Sequence, residues 1–575
     1  MKKVQFLFVF VMLATLLASC ATPTPETITV IETVMVEGTP VVQEVQVEVE
    51  KVVTATPAEV DKYGGTFTWG VGDEVPGFSP ILNNWGTEIV IFQTTSQPLT
   101  WGGENFPSDV VPILAESWER SEDGLVWTIH LRQGVTWSDG VAFTADDVLF
   151  TAAAIQDETT TGAEWVRGRY FVNDVPFKFE KVDDYTLTIT TDAPVPTLLN
   201  DICACIVPKH YFEENGIANA DMKASEFNTT KNIGTGPFVI SEYRQGEAVI
   251  VTANENYWGG KPYLDSIVFR LMPDVQSRIV ALQSGEIDFT GISPQYVSEL
   301  IDNPNINIFT KVVDMQYHLR LNTSKPMLAD KRTRQALFIA MDRQAMVQTL
   351  KQGYGAVADS PYNPAVSAYE ATTTYGYDVE QAKALLTEVG WVMGSDGIWT
   401  AETVEGVAPG TKFSLVLDVL YDEDEAVMVL TQSYWKALGI DATIRQIDPN
   451  VWAEENNGMI DKKYDVYYSG IGYIGSNGAN YNWLVANGAL DNDMSYNNET
   501  VIDLFNQAKT TEDPAARDAL LKEAGAIVWD ELPYLPIFYD KRVYAANKNV
   551  HFEEADWQVG MVGIFGAPDK IWIEK

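Results

Sequence analysis

The sequence has few of the residues that metal sites, disulfide frameworks and nucleic-acid binding require. Three cysteines and four histidines among 575 residues are too few and too scattered for a disulfide framework or a metal site. With 39 Lys+Arg against 80 Asp+Glu the formal charge is −41, which excludes nucleic acid as a partner because phosphates would be repelled. The sequence also has no G-x-S-x-G elbow, no Walker loop and no H-E-x-x-H. We therefore expect no metal, no cofactor and no catalytic residues.

Apolar and aromatic residues are abundant by contrast. Hydrophobic residues make up 46% of the chain and charged residues 21%, as expected of a protein that buries a core. The length favours roughly three folding units. Sixteen tryptophans offer flat surfaces that pack in a core or stack on a ligand in a cleft.

The residue spacing predicts several secondary-structure elements. Alternation of apolar and polar residues predicts strands at 127–131 and 185–189. The helix from Asp378 should end at Gly390, and the helix from Asp330 should carry Leu337, Ala340 and Met341. Mixed strands and helices make the class α/β or α+β. Three helices are predicted, and each starts at an aspartate: Asp330, Asp378 and Asp513.

The first twenty residues predict export. Lys2 and Lys3 precede an apolar run at 4–17 that is short for a membrane span and typical of a signal peptide. The tetrapeptide ending at Cys20 resembles a bacterial lipobox, which implies a signal peptide of residues 1–19 and acylation of Cys20. An ordinary secretory signal with an incidental cysteine is the alternative. We expect a lipid-anchored protein on the outer face of the cytoplasmic membrane, in the periplasm or at the cell surface.

The segment after Cys20 has a composition of its own. Residues 21–62 contain no Phe, Trp or Tyr and repeat Thr, Pro, Val and Glu. Without aromatic residues the segment has little to bury, so we expect 20–62 to be the lipidated cysteine and a disordered acidic tether. A valine alternation at 41–53 leaves open that this stretch adds a strand to something.

Three local patterns carry less information. Residues 491–502 begin like a calcium-binding loop but lack its glycine and its final glutamate, so we expect no calcium there. The sequence GTGP at 234–237 predicts a tight turn, because a phosphate loop would need a third glycine and a helix start. Cys203 and Cys205 are either buried thiols or a strained disulfide across one residue.

A series of short motifs runs in order through the body of the chain. In this order they resemble the family 5 extracellular solute-binding proteins of ABC importers, the oligopeptide- and dipeptide-binding group. The resemblance covers essentially the whole body after Tyr63. The motifs are PILAESWE at 112–119, SEDGLVWT at 121–128, LRQGVTWSDG at 131–140, FTADDV at 143–148, IGTGPF at 233–238, NYWGGKPYLD at 256–265, ALQSGEID at 281–288, DKRTRQAL at 330–337 and DELPYLP at 530–536.

The resemblance implies an α/β, two-lobed periplasmic-binding-protein fold that closes on its ligand like a flytrap. A subdomain is inserted in the first lobe, and the chain crosses between the lobes near Asp314 and Tyr539. By similarity, the core of lobe I takes residues 63–97, 201–314 and 539–575, its inserted subdomain takes 98–200, and lobe II takes 315–538.

The same resemblance implies where a ligand binds. In the family one wall of the cleft is the loop after the first strand of the core lobe, and another follows the strand at 464–468. Peptide binders usually show Gly-Trp there, and then an aspartate that pairs with the peptide amino terminus. Residues 470–477 read GIGYIGSN and contain neither. The implied ligand-binding residues are Asn84, Trp85, Gly86, Tyr317, Tyr468, Gly470, Ile471, Tyr473, Gly475 and Asn477.

The function implied is that of a monomeric receptor, not an enzyme, which captures a solute by hinge closure and delivers it to an ABC permease. The family's usual ligands favour a peptide. The missing aspartate favours an oligosaccharide, because a buried ammonium group without a partner is costly. Two other classes stay open: an extracellular hydrolase, and a sensory partner that hands its ligand state to a receptor kinase.

Overall fold

The computed structural model describes most of the chain and divides it into two compact units, Met1–Asp61 and Lys62–Lys575. The predicted signal peptide, Cys20, Asn84, Trp85, Tyr473, Gly475 and Asn477 lie outside the described residues. The described residues are 24–36, 39–51, 61–82, 86–102, 110–364, 366–372, 374–421, 424–448, 451–452, 462–472, 494–552 and 567–575.

The first unit contains a long β-hairpin. Strands β1 (Thr24–Val36) and β2 (Thr39–Lys51) pair antiparallel from one end to the other. The expectation of a disordered tether is therefore corrected for these residues. Both strands are rich in Val, Ile and Thr, whose branched side chains favour extended backbone.

The second unit is built around a large mixed sheet. Its described strands are β3 (Thr66–Val71), β4 (Thr100–Gly102), β5 (Val110–Pro112), β6 (Ala115–Arg120), β7 (Val126–Leu131), β8 (Phe171–Val172), β9 (Val175–Pro176), β10 (Lys178–Asp183), β11 (Thr186–Thr190), β12 (Phe238–Arg244), β13 (Ala248–Ala253), β14 (Ser266–Leu271), β15 (Phe289–Ile292), β16 (Ile306–Leu321), β17 (Gly355–Val357), β18 (Trp391–Met393), β19 (Trp399–Ala401), β20 (Ser414–Val419), β21 (Asp441–Gln446), β22 (Val466–Gly472), β23 (Tyr534–Asn547), β24 (Val550–His551) and β25 (Trp572–Ile573). Eleven of these described strands form the large sheet, in the order β12-β13-β14-β3-β15-β23-β16-β22-β20-β21, with β17 paired to β23. A separate sheet has the order β10-β11-β7-β6.

Helices of the second unit cover this sheet and fill the connections between its strands. No helix among the described residues has the length and apolar character needed to cross a bilayer. The described helices are α1 (Gly86–Thr95), α2 (Ala145–Gln156), α3 (Glu164–Arg167), α4 (Leu198–Asp201), α5 (Lys209–Glu214), α6 (Glu226–Thr229), α7 (Val275–Ser284), α8 (Val297–Leu300), α9 (Pro326–Ala329), α10 (Lys331–Ile339), α11 (Arg343–Lys351), α12 (Val379–Val389), α13 (Glu425–Leu438), α14 (Glu499–Thr510) and α15 (Pro514–Glu531).

The predicted elements are confirmed, except that helix α10 ends earlier than expected. Helices α10, α12 and α15 begin after the predicted aspartates, and each aspartate side chain accepts a hydrogen bond from a backbone N–H of the first turn. Gly390 ends α12 in the left-handed region. Helix α10 ends at Ile339, before Ala340 and Met341, because Asp342 starts a new helix as the cap of α11. Strands β7 and β11 lie where alternation placed them and pair antiparallel.

The four-stranded sheet belongs to a hydrophobic core of its own, which we call the insert cluster. The cluster continues past residue 200, the expected end of the inserted subdomain, and also takes in residues before 98. The segment 201–227 therefore packs with the insert. The cluster includes Ile81, Leu99, Trp127, Trp137, Phe143, Val166, Tyr170, Leu187, Ile206, Phe212 and Phe227.

Helices α14 and α15 pack on each other around another core, which we call the helix-pair cluster. It is separate from the insert cluster and from the larger core beneath β20 and β22. Its buried members are Tyr362, Val366, Ala368, Met494, Tyr496, Val501, Leu504, Phe505, Ala508, Leu521, Ala524, Val528 and Tyr534.

Strands β16 and β23 are the long strands at the centre of the large sheet. They pair antiparallel with two shifts in register: a small one between Tyr317 and His318, and a larger interruption where residues 313–315 of β16 face Asp540 of β23 alone. Extra residues on one strand bend it and increase its twist. The interruption lies where the resemblance placed the two crossings between lobes, near Asp314 and Tyr539.

Candidate functional site

Beside this interruption an aromatic face lies across neighbouring strands. Tyr317 of β16 is opposite Gly470 of β22, and its ring stacks on the ring of Tyr468, with centroids 5.4 Å apart and planes 9° from parallel. Phe538 of β23 adds a third ring, 5.3 Å from that of Tyr317. These three elements meet only because β22 and β23 both pair with β16.

Gly470 makes room for this arrangement. A Cβ atom at Gly470 would lie 3.0 Å from Cε1 of Tyr317, closer than side-chain contacts usually are. The Tyr317 ring can therefore lie over the backbone of β22 only while residue 470 lacks a side chain.

A partly buried ion pair completes the aromatic face. Lys351, the last residue of α11, donates to Asp540 of β23 at 2.8 Å, and these side chains are 16% and 14% exposed. The Lys351 ammonium also lies 4.4 Å from the Phe538 ring centroid and 5.2 Å from that of Tyr317, which is cation–π distance. The pair fixes β23 to α11 at the residue where pairing with β16 is interrupted.

Replacing Lys351 by methionine is expected to lower the free energy of unfolding by about 2 kcal/mol, because the Asp540 carboxylate keeps its desolvation cost and loses its cation. Urea unfolding measures the change. Lys383→Met is the control, since Lys383 pairs with Glu380 on an exposed helix face and should cost under about 0.5 kcal/mol. Equal costs for the two variants would show that the Lys351–Asp540 pair adds nothing.

A polar network holds the loop after β17 against Tyr539 of β23. The Tyr539 hydroxyl donates to the carbonyl oxygen of Tyr362 at 2.9 Å, and the Tyr369 hydroxyl donates to Asp359 at 2.9 Å. Burial, together with the hydrogen bond to Asp359, raises the pKa of Tyr369 to about 12. Tyr369 therefore stays protonated, as a donor, throughout the physiological pH range.

The face of β16 opposite Tyr317 is also polar and buried. Gln316 donates to the carbonyl oxygen of Ser360 at 2.9 Å, and Arg320 donates to Nε2 of His318 at 3.1 Å. Burial, assisted by the charge of Arg320, holds the pKa of His318 well below its usual value. His318 is therefore neutral and serves as an acceptor.

Helix α1 follows the predicted cleft loop and begins at Gly86. Gln93 on this helix is 7% exposed, and neither atom of its amide group has a hydrogen-bond partner among the described residues. Buried polar groups are nearly always paired, so an orphaned amide marks a position where a ligand or water can bind.

The GTGP sequence at 234–237 packs against the end of α1. A Cβ at Gly234 would lie 1.8 Å from the Thr95 carbonyl oxygen, and one at Gly236 would lie 2.6 Å from that of Thr94. The segment bends at 235–237, and the Gly236 N–H donates to the Thr95 carbonyl oxygen at 3.0 Å. Glycine is needed here for close approach to the helix.

The structure thus places part of the predicted site. Tyr317, Tyr468 and Gly470 lie together, the backbone of Ile471 pairs with Gln316 on β16, and Gly86 starts α1. Sequence reasoning missed Lys351, Phe538 and Asp540. A lysine that ends an amphipathic helix gives no sign of a partner 189 residues later.

The cysteine question is also answered. Cys203 and Cys205 are free thiols, and the Arg169 guanidinium donates to Sγ of Cys203 at 2.8 Å. Burial raises the pKa of the Cys205 thiol. Within the described ranges, no group of three His, Cys, Asp or Glu side chains is placed to hold a metal ion.

An open pocket of about 580 Å³ lies on the four-stranded sheet, away from the crossing strands. It is lined by Glu116, His130, Tyr185 and their neighbours, all from the insert. Since one subdomain supplies every lining residue, closure of two lobes would leave this pocket unchanged. We therefore centre the candidate site on the aromatic face.

Comparison with known proteins identifies the family. The family model described as bacterial extracellular solute-binding proteins, family 5, matches residues 109–493, which is more than half of the chain. The protein belongs to this family of solute-binding proteins.

Two curated relatives and one solved structure are similar over most of the chain. Heme-binding protein A of Haemophilus influenzae is 28% identical over 499 residues, covering 82% of this chain and 86% of that protein. The dipeptide-binding protein of Escherichia coli K12 is 29% identical over 504 residues, covering 82% and 89%. The oligopeptide-binding protein AppA of Bacillus subtilis, solved with a nonapeptide, has a TM-score of 0.79 at 24% identity, covering 90% of this chain and 100% of that one. These likenesses support the two-lobed α/β fold.

Proposed function

We propose that the protein is the receptor of an ABC importer and captures a peptide between its two lobes. The observation that carries this proposal is the family match across residues 109–493, joined to relatives named for dipeptide and oligopeptide binding. The protein would catalyse no reaction, act as a monomer, and hand its ligand to the permease.

The geometry of the crossing fits such a receptor. Tyr317 is the partly exposed ring beside the bend between lobes, and it can stack on a ligand there. Tyr468 and Phe538, which are 7% and 0% exposed, pack behind it and hold it in place. Contacts that the ligand makes with both lobes exist only in the closed form, so ligand binding shifts an open population to the closed one. At micromolar affinity the ligand supplies about 8 kcal/mol net of the cost of closure.

An oligosaccharide is the second candidate ligand, and a sequence observation favours it. Residues 470–477 contain no tryptophan and no acidic residue, so the usual partner for a peptide ammonium group is missing from this stretch. Tyrosine rings and amide side chains such as Gln93 suit neutral polyols, which stack and hydrogen-bond without charge.

Export and lipid anchoring complete the proposal. The lipobox-like sequence ending at Cys20 would place the acyl chains at the N-terminus and keep the receptor at the outer face of the cytoplasmic membrane.

Native mass spectrometry of the whole chain, expressed with its own N-terminus and purified gently, tests the ligand class. We expect a retained ladder of short peptides. A retained hexose series would overturn the peptide in favour of the oligosaccharide. Intact mass on the same sample checks Cys20, because uncut or unacylated protein would contradict the anchor. Turnover of an added peptide or glycan would contradict the receptor function and support a hydrolase instead.

A further inference from the structure

The corner between α14 and α15, residues 509–513, reaches the inserted subdomain at a buried point. The Lys509 ammonium donates to the carbonyl oxygen of Phe171 at 2.7 Å and lies 3.5 Å from that of Gly168. Lys509 is only 9% exposed. A buried ammonium needs such acceptors, since few other groups here offset its desolvation.

Charges around Lys509 come from the same subdomain. Burial lowers the pKa of Lys509, the Asp201 carboxylate opposes this shift, and the Arg169 guanidinium adds to it. Asp201 is itself 1% exposed and accepts a hydrogen bond from Thr197. The insert therefore presents a buried anionic group and two carbonyl oxygens to one cation from α14.

A second contact forms beside the first. The Arg120 guanidinium binds Glu512 through both terminal nitrogens, and the contact from Nη1 to Oε2 measures 2.8 Å. Arg120 is held in place because it also donates to the Gly124 carbonyl oxygen and stacks over the Trp127 ring at 5.1 Å. A bidentate contact of this kind fixes the relative orientation of the two side chains as well as their distance.

These contacts join two cores that are otherwise separate. Trp127 and Tyr170 belong to the insert cluster, whereas Phe505 and Ala508 belong to the helix-pair cluster. The groups that meet between them are charged or carbonyl groups. Polar junctions are typical of surfaces that separate and rejoin, because each side can be solvated again when apart.

We propose that residues 509–513 form an interlobe latch that raises ligand affinity without touching the ligand. The proposal rests on the proposed function, because Lys509 and Glu512 lie in the predicted lobe II and their partners in lobe I. A contact present only in the closed form increases the closed-to-open ratio, and apparent affinity rises with the closed fraction.

Small-angle X-ray scattering of the full chain without ligand measures the closed-to-open ratio, and titration with a mixture of tri- to pentapeptides measures affinity. We expect Lys509→Met to lower the ratio about tenfold and Glu512→Gln about threefold, with matching losses of affinity. Glu512 is 53% exposed, so its variant should fold even if the buried lysine cannot be replaced. Lys412→Met removes an exposed pair with Asp396 and should change neither quantity.

A charge swap separates the latch from a merely structural role. Arg120→Glu should lower the closed-to-open ratio about tenfold, because it places like charges together. Adding Glu512→Arg should restore the ratio to within about twofold of the wild type. Raising NaCl from 20 to 500 mM shortens the screening length from about 20 to about 4 Å. It should therefore weaken the exposed Arg120–Glu512 pair more than the Lys509 contacts.

The latch is overturned if the variants scatter like the wild type, or if they open without any loss of peptide affinity. Failure of the proposed function is a different result, because the scattering needs no ligand. If the variants shift toward the open form as expected but the protein binds no peptide, the latch is supported and the peptide is rejected as the ligand.

Discussion

Replacing Gly234 by alanine is expected to lower the free energy of unfolding by at least about 3 kcal/mol. The added Cβ would lie 1.8 Å from the Thr95 carbonyl oxygen, which is backbone and cannot rotate away. Relief requires α1 to move off residues 232–236, and that movement breaks the bond from the Gly236 N–H to Thr95 and the bonds from Asn232 to Thr95 and Ser96. Urea unfolding of the purified variant measures the loss.

Gly376→Ala is the matched control for this substitution. No atom of the described residues lies within 4 Å of a Cβ at Gly376, and the Gly376 backbone is outside the left-handed region. We expect it to change stability by less than about 0.5 kcal/mol, or to stabilise slightly by restricting the unfolded chain. Equal effects of the two substitutions would contradict the close packing of residues 234–237 on α1.

Local rules predicted the elements whose signals lie within one turn of the chain. Asp378 caps α12 and Gly390 ends it, because a side-chain carboxylate can reach the first free N–H groups and glycine adopts positive φ without strain. Strand β7 was predictable for a similar reason, since its alternating residues bury one face and leave the other half-buried.

Contacts between residues that are far apart in sequence were not predictable from such local rules. Lys351 and Asp540 meet because β23 runs back along β16 and brings residue 540 to the end of α11. The glycines at 234 and 236 were recognised as a motif, but the reason for them lies on α1, far away in sequence. Strand register determines the Lys351–Asp540 contact, and packing on α1 determines the need for the two glycines. Local residue spacing predicts neither register nor packing.

For the hairpin of the first unit, the sequence led to a wrong prediction rather than to none. Composition without aromatic residues predicted a disordered tether, yet β1 and β2 pair over their whole length. Pairing satisfies backbone N–H and C=O groups without a large core, so the absence of Phe, Trp and Tyr excludes less than it first suggests.

Replacing Gly470 by valine is expected to weaken peptide binding about 100-fold, or about 2.7 kcal/mol. A Cβ there already lies 3.0 Å from the Tyr317 ring, and the branched methyl groups must push that ring away from Tyr468. Valine favours extended backbone, so β22 itself should keep its pairing with β16. Isothermal titration with the peptides recovered by native mass spectrometry measures the loss.

The control for this substitution is Gly291→Ala in β15. Its Cβ would meet only Tyr544, at an ordinary contact distance of 3.8 Å, so affinity should change less than about twofold. If Gly470→Val unfolds at the wild-type urea concentration and still binds peptide with wild-type affinity, Tyr317 and Tyr468 do not form a wall of the site. If affinity falls while stability holds, the loss is due to the displaced ring, because the strand pairing and the Lys351–Asp540 pair behind it are unchanged.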